Sequence, residues 1–148
     1  MNKLAAISLS IIILAIVAAF LFSGDDSSGS DPIIKEIPSG KTFTIEMTSQ
    51  GFSPGTINIK QYDSIIFVNL DETPHWPASN VHPSHEVYPG TNIEKCNSED
   101  KNKIFDACEG VEKGESFTFQ FNLPGKWGYH DHLNPAMSGI ISVEPEEN

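Results

Sequence analysis

The sequence contains no arginine: its nine basic residues are all lysines, set against 20 acids in 148 residues. Lys3 apart, eight lysines face all 20 acids, a formal balance of −12. A surface of that sign repels nucleic acid and anionic lipid headgroups and attracts cations. No nucleic-acid partner is expected. Cysteine is scarce too, with Cys96 and Cys108 the only two. Neither stands near the N-terminal apolar stretch, so a bacterial lipid attachment has no acceptor there. Helical periodicity is missing as well: between residues 33 and 148 no stretch sustains it beyond a turn or two. That excludes a bundle or an α/β architecture and leaves short strands to build the domain.

What is present begins with one long apolar run. Leu4–Phe22, "LAAISLSIIILAIVAAFLF", is 19 residues without a charge, close to the roughly 20 that a helix needs to cross a bilayer. No convincing small-x-small cleavage site follows it. Residues 1–22 are therefore expected to form an uncleaved transmembrane anchor, with a cleaved signal peptide and a secreted protein as the alternative. Lys3 would stay inside and the domain would face outward. "SGDDSSGSDP", 23–32, has no apolar residue to bury and reads as a flexible linker. Residues 33–148 suffice for one compact domain.

Within that domain the strands alternate. "KTFTIEM" (41–47) places Phe43, Ile45 and Met47 on one face, and "TINIKQ" (56–61) does the same with Ile57 and Ile59. "SIIFVNL" (64–70) is denser, as expected of a strand buried on both sides. "ESFTFQFNL" (115–123), "KWGYH" (126–130) and "GIISVE" (139–144) complete the set. Pro/Gly turns separate them, predicting an all-β sandwich or small barrel. One long insertion, about 72–114, holds three histidines and both cysteines. Loops of such length are usually functional. In an exported domain Cys96 and Cys108 are expected to pair. Closing that 13-residue segment would contribute about 3 kcal/mol.

All five histidines lie in two places: His75, His82 and His85 in the insertion, His130 and His132 near a strand end. Imidazole is a common ligand of later transition metals, and a site requires clustering. If the strand runs through 132, its period of two sets His130 and His132 on one face and Asp131 on the other. His75 leaves the buried strand at "NLDETPHW", where a ligand would be rigidly held. His85 is the candidate fourth ligand, and His82 reads as a second-rank or surface residue. Met137 is either a soft axial ligand or an apolar plug.

"GFSPGTINIKQYDSIIFVNLDETPHW" (51–76) and "GESFTFQFNLPGKWGYHDHLNPAMSGIISVE" (114–144) resemble the two halves of cupredoxins, the plastocyanin and azurin type of small copper protein. The resemblance spans about 41–144 and implies a Greek-key β-sandwich with one long loop insertion. It implies His75 as the first histidine ligand. Electron-transferring members carry Cys-x-x-His-Pro-x-Met in the closing loop; here Asp131 stands where the cysteine should be and Asn134 where the histidine should be. Pro135 and Met137 match. The His130-x-His132 pair is similar instead to pairs in multicopper oxidase domains. The expected site is thus His75, His85, His130 and His132 holding copper, with Cu(II) preferred and zinc the competitor.

Three functions are compatible with these residues. The first is an anchored, extracytoplasmic copper protein for storage, buffering or delivery, working with a copper donor or acceptor. The second is a small copper-dependent oxidoreductase or electron-transfer protein. The third is a metal-free cupredoxin-like binding module of a membrane complex, since fold alone does not fix function. No substrate pocket is recognisable, so an enzyme is the weaker reading.

Overall fold

The computed structural model describes residues 40–147. The expected anchor at 1–22 and linker at 23–32 lie outside the described residues. Among the described residues no helix is long and apolar enough to cross a membrane.

The strands are β1 (Thr42–Thr48), β2 (Gly51–Ser53), β3 (Thr56–Lys60), β4 (Ser64–Asn69), β5 (Pro77–Ser79), β6 (Ser116–Gln120), β7 (Gly125–Asp131) and β8 (Asn134–Glu144). They form two four-stranded sheets, ordered β2-β1-β4-β6 and β3-β8-β7-β5. Pairing is antiparallel except for β1 with β4 and β3 with β8. The sequence alternation becomes burial directly. β1 turns Ile45 and Met47 inward and β4 turns Ile65, Phe67 and Asn69 inward. The residues between them on β4 are only half-buried. The expectation of a strand covered on both sides fails because its sheet packs through one face only.

The space between the sheets is filled largely by aromatic rings. Phe67 lies 5.9 Å from Phe105, 5.4 Å from Tyr129 and 6.1 Å from Phe52 between ring centroids. Offset and edge-on contacts at this spacing add to the area that the rings bury. Phe105 comes from the long insertion, not from a predicted strand. That segment is ordered: it supplies β5, two short 3-10 helices (Ile93–Asn97 and Lys101–Lys103) and bridges pairing His75 with Val111 and Ala78 with Asp106. Tyr88, Ile104, Phe105 and Val111 are its buried anchors. The cysteines pair as expected, with Cα atoms 5.2 Å apart. The bond removes both thiolates as metal ligands.

β7 and β8 form a long hairpin closed at residues 132–133, well beyond the two short strands the sequence suggested. Gly139 is required there: a Cβ would overlap the Gly55 carbonyl and the Tyr129 ring. Met137, on β8, is buried with the hydrophobic core.

Candidate metal centre

The site is built on the pairing of β5 with β7. Ala78 stands opposite His130 and Pro77 opposite Asp131. β7 ends at Asp131, one residue past the strand the sequence suggested and one short of His132. The His132 amide still donates to the Trp76 carbonyl at 2.8 Å, so the pairing extends one step into the turn. The alternation of faces therefore survives. His130 and His132 point to one side and Asp131 to the other.

On the histidine side, the turn after β5 carries His82 and His85 over the strand. It is closed by His85 N–H to the Val81 carbonyl at 2.7 Å and Val87 N–H to the Asn80 carbonyl at 2.6 Å. His85 adopts φ +60°, the left-handed region, which histidine enters more readily than most residues. His82, His85, His130 and His132 each offer a ring nitrogen, and these atoms all lie within 4.8 Å of one another. His85 Nε2 and His132 Nδ1 are 3.0 Å apart. Two nitrogens held about 2.0 Å from one tetrahedral ion would be about 3.3 Å apart. The spacing fits a shared ion with little adjustment.

Two of the rings are oriented from behind. His85 Nδ1–H donates to Asp106 Oδ2 at 2.6 Å, leaving Nε2 as its lone-pair nitrogen. His130 Nδ1–H donates to Asn80 Oδ1 at 3.0 Å, and its Nε2 is buried without a hydrogen-bond partner among the described residues. A buried ring nitrogen left unpaired is costly unless something else satisfies it. Such backing of metal-ligating imidazoles fixes the tautomer and aims the free nitrogen. Asp106 also accepts from Trp76 Nε1 at 2.6 Å and from the Cys108 amide at 2.8 Å. Trp76 lies against the His132 ring, 4.4 Å between centroids.

The electrostatics disfavour a proton on His130 and His132. Burial, and then the charges His85, His82 and His132 would carry, push the His130 imidazole down to about 4. Burial followed by His85 and His82 lowers His132 as well. Burial raises the Asp106 carboxyl, but hydrogen bonds from His85, Trp76 and Cys108 outweigh it and hold the group below the ordinary carboxylate range. At neutral pH His130 therefore presents a lone pair rather than a proton.

On the opposite side, Asp131 is committed to structure. Its Oδ1 accepts from the Trp76 and Leu133 amides at 2.8 and 3.0 Å, and its Oδ2 accepts from His75 Nδ1–H at 2.8 Å. The other His75 ring nitrogen lies 3.3 Å from Asp71 Oδ2. The structure thus brings together His85, His130 and His132, sets His75 apart between two carboxylates, and adds His82. His75 is placed away from the cluster because strand alternation turns its partner, Asp131, away from the flanking histidines. His82 joins because the turn at 80–87 folds back onto β7, which the spacing of His82 and His85 could not reveal. Asn80 and Asp106 had no signal in the sequence; Asp106 approaches only through its bridge to Ala78.

No protein-family model matches the chain. Amicyanin-alpha of Methylorubrum extorquens is 25% identical over 132 residues, covering 88% of this chain and 94% of its own. Among solved structures, a reduced tryptophan-to-tyrosine mutant of amicyanin superposes with a TM-score of 0.55 at 16% identity, covering 74% of this chain and 87% of that one. The novel purple cupredoxin of Nitrosopumilus maritimus gives 0.52 at 16% identity, over 68% of this chain and 98% of that one. The copper-containing nitrite reductase of Thermus scotoductus gives 0.52 at 22% identity over 71% of this chain, which matches 22% of the enzyme.

Proposed function

We propose, from the likeness to amicyanin and to solved cupredoxin structures, that the chain carries a cupredoxin-family domain and binds one copper ion through His82, His85, His130 and His132. Its role is to store, buffer or deliver copper outside the cytoplasm, held at the membrane by residues 1–22, with a copper donor or acceptor protein as its partner. The observation that carries this is the gathering of four ring nitrogens within 4.8 Å of one another, with His130 Nε2 buried and without a hydrogen-bond partner among the described residues. The position that the family resemblance assigns to copper does not fit. Asp131 replaces the thiolate and already accepts three hydrogen bonds, and both cysteines are in the disulfide. Bound copper would supply a one-electron couple and a cationic centre that exchanges ligands. Asp106 and Asn80 aim His85 and His130, while burial keeps His130 free of a proton. Nitrogen-only donors favour Cu(II), with zinc the usual competitor. The disulfide accords with an oxidising compartment.

The likeness to amicyanin, with the Trp76 indole packed on His132, supports a second reading, one-electron transfer. One experiment separates them. The full chain in detergent, loaded with Cu(II) and dialysed, should retain one ion with nitrogen hyperfine structure in its electron paramagnetic resonance spectrum and no strong blue band. Retention of no copper or zinc would overturn the metal reading. A fast, reversible couple in voltammetry would move the weight to electron transfer.

A further inference from the structure

The four histidines are not equivalent. His85 is fully buried and tied to Asp106, and His130 is 3% exposed and tied to Asn80. His132 is half-buried, fastened through its backbone to Trp76 and covered by the Trp76 indole. His82 alone is exposed, and among the described residues its ring makes no hydrogen bond. Its ring centroid stands 4.8 Å from His132, 5.5 Å from His130 and 6.3 Å from His85, at the open side of the group. Val81, beside it, is 60% exposed. Closed metal sites fix every ligand, whereas working sites hold three and leave one position open to exchange.

Resting on the copper reading above, we infer that His85, His130 and His132 form a fixed tripod and that His82 is an exchangeable ligand through which the ion is handed over. The partner is a protein, or a small chelator, that presents a nitrogen or sulfur donor at this face. Among the described residues no hydrogen bond holds the orientation of the His82 ring, so it can swing outward while the tripod keeps its geometry. An incoming donor then takes the position that the ring leaves. For each imidazole–metal bond broken, one donor–metal bond forms; no electron moves and no oxidant is needed. A displaced His82 side chain, already exposed, returns to solvent at no burial cost.

The test follows copper transfer from the Cu(II)-loaded full chain, in detergent, to EDTA. Wild-type transfer should rise in proportion to EDTA concentration. His82→Ala should still retain one ion, exchange it at least about tenfold faster, and return toward the wild-type rate and spectrum on adding free imidazole. His130→Ala should bind the ion far more weakly and give it up to EDTA whether or not imidazole is present. If His82→Ala loses the ion, or exchanges at the wild-type rate without responding to imidazole, the inference is overturned while the copper site stands. If wild type retains no ion, both the site and the inference fall.

Discussion

The His130 ring has one nitrogen committed to Asn80 and the other buried without a hydrogen-bond partner among the described residues. Its replacement by alanine removes the deepest donor of the group. His130→Ala is expected to lower copper affinity by at least about 100-fold, as read by competition with a chelator of known strength. The carboxylate behind His85 acts one step further out. Asp106→Asn keeps the side-chain shape but weakens that support, and should cost 10–100-fold in affinity, the range typical for groups that orient a ligand. Protons compete for the same ring. Burial lowers His130 from its ordinary 6.5 to about 4 in the fold. Between those values the unfolded chain binds the proton and the folded one resists it, so stability falls as pH drops. Metal-free protein should therefore unfold at constant urea concentration above pH 6.5 and at progressively lower concentration down to about pH 4. A His130→Gln variant should lose His130's share of that slope.

Among the elements, β7 determines which residues can meet. Its pleat sends His130 toward the cluster and Asp131 toward His75. This was legible in the spacing of His130 and His132, because a period of two needs only the strand assignment. The strand's own glycine matters as well. A Cβ on Gly128 would lie 2.7 Å from Asn80 Nδ2, the far end of a flexible side chain. Gly128→Ala should leave the fold intact, displace the amide that orients His130, and weaken copper binding several-fold; unchanged affinity would show that Asn80 does not orient the ring. The insertion is held differently. Cys96–Cys108 closes the exposed 3-10 turns, while Phe105 pins the same segment to the core. Replacing both cysteines by serine should cost about 3 kcal/mol of stability, measured by denaturant unfolding. Phe105→Ala should cost about 3–5 kcal/mol.

For the molecule as a whole, a ligand that binds only the folded form raises stability by mass action. Copper at 100 times its dissociation constant should add about 2.7 kcal/mol, seen as a higher thermal midpoint that EDTA reverses. The acidic balance of −12 outside Lys3 should make capture of free copper faster at low ionic strength, because like charge across the surface concentrates cations. An all-β sandwich or small barrel was readable at this scale from alternation and turns, and the resemblance to cupredoxins narrowed it to two sheets. The ordered insertion was not: Tyr88, Ile104 and Phe105 are scattered apolar residues without period, and only packing between the sheets gives them a place.

By itself the sequence determined an all-β domain, a paired disulfide, an acidic surface and a same-face pair at His130 and His132. Each of these rests on local periodicity, charge or residue chemistry, which need no knowledge of distant neighbours. Tertiary structure alone decided the membership of the cluster. It drew His82 over β7, set Asp106 and Asn80 behind two of the rings, and turned His75 toward Asp71 and Asp131. The physical reason is range. Faces along one strand follow from a repeat of two residues. Contacts between residues 80–87, 106 and 130–132 depend on how a long segment folds back across a sheet, and no local pattern records that path.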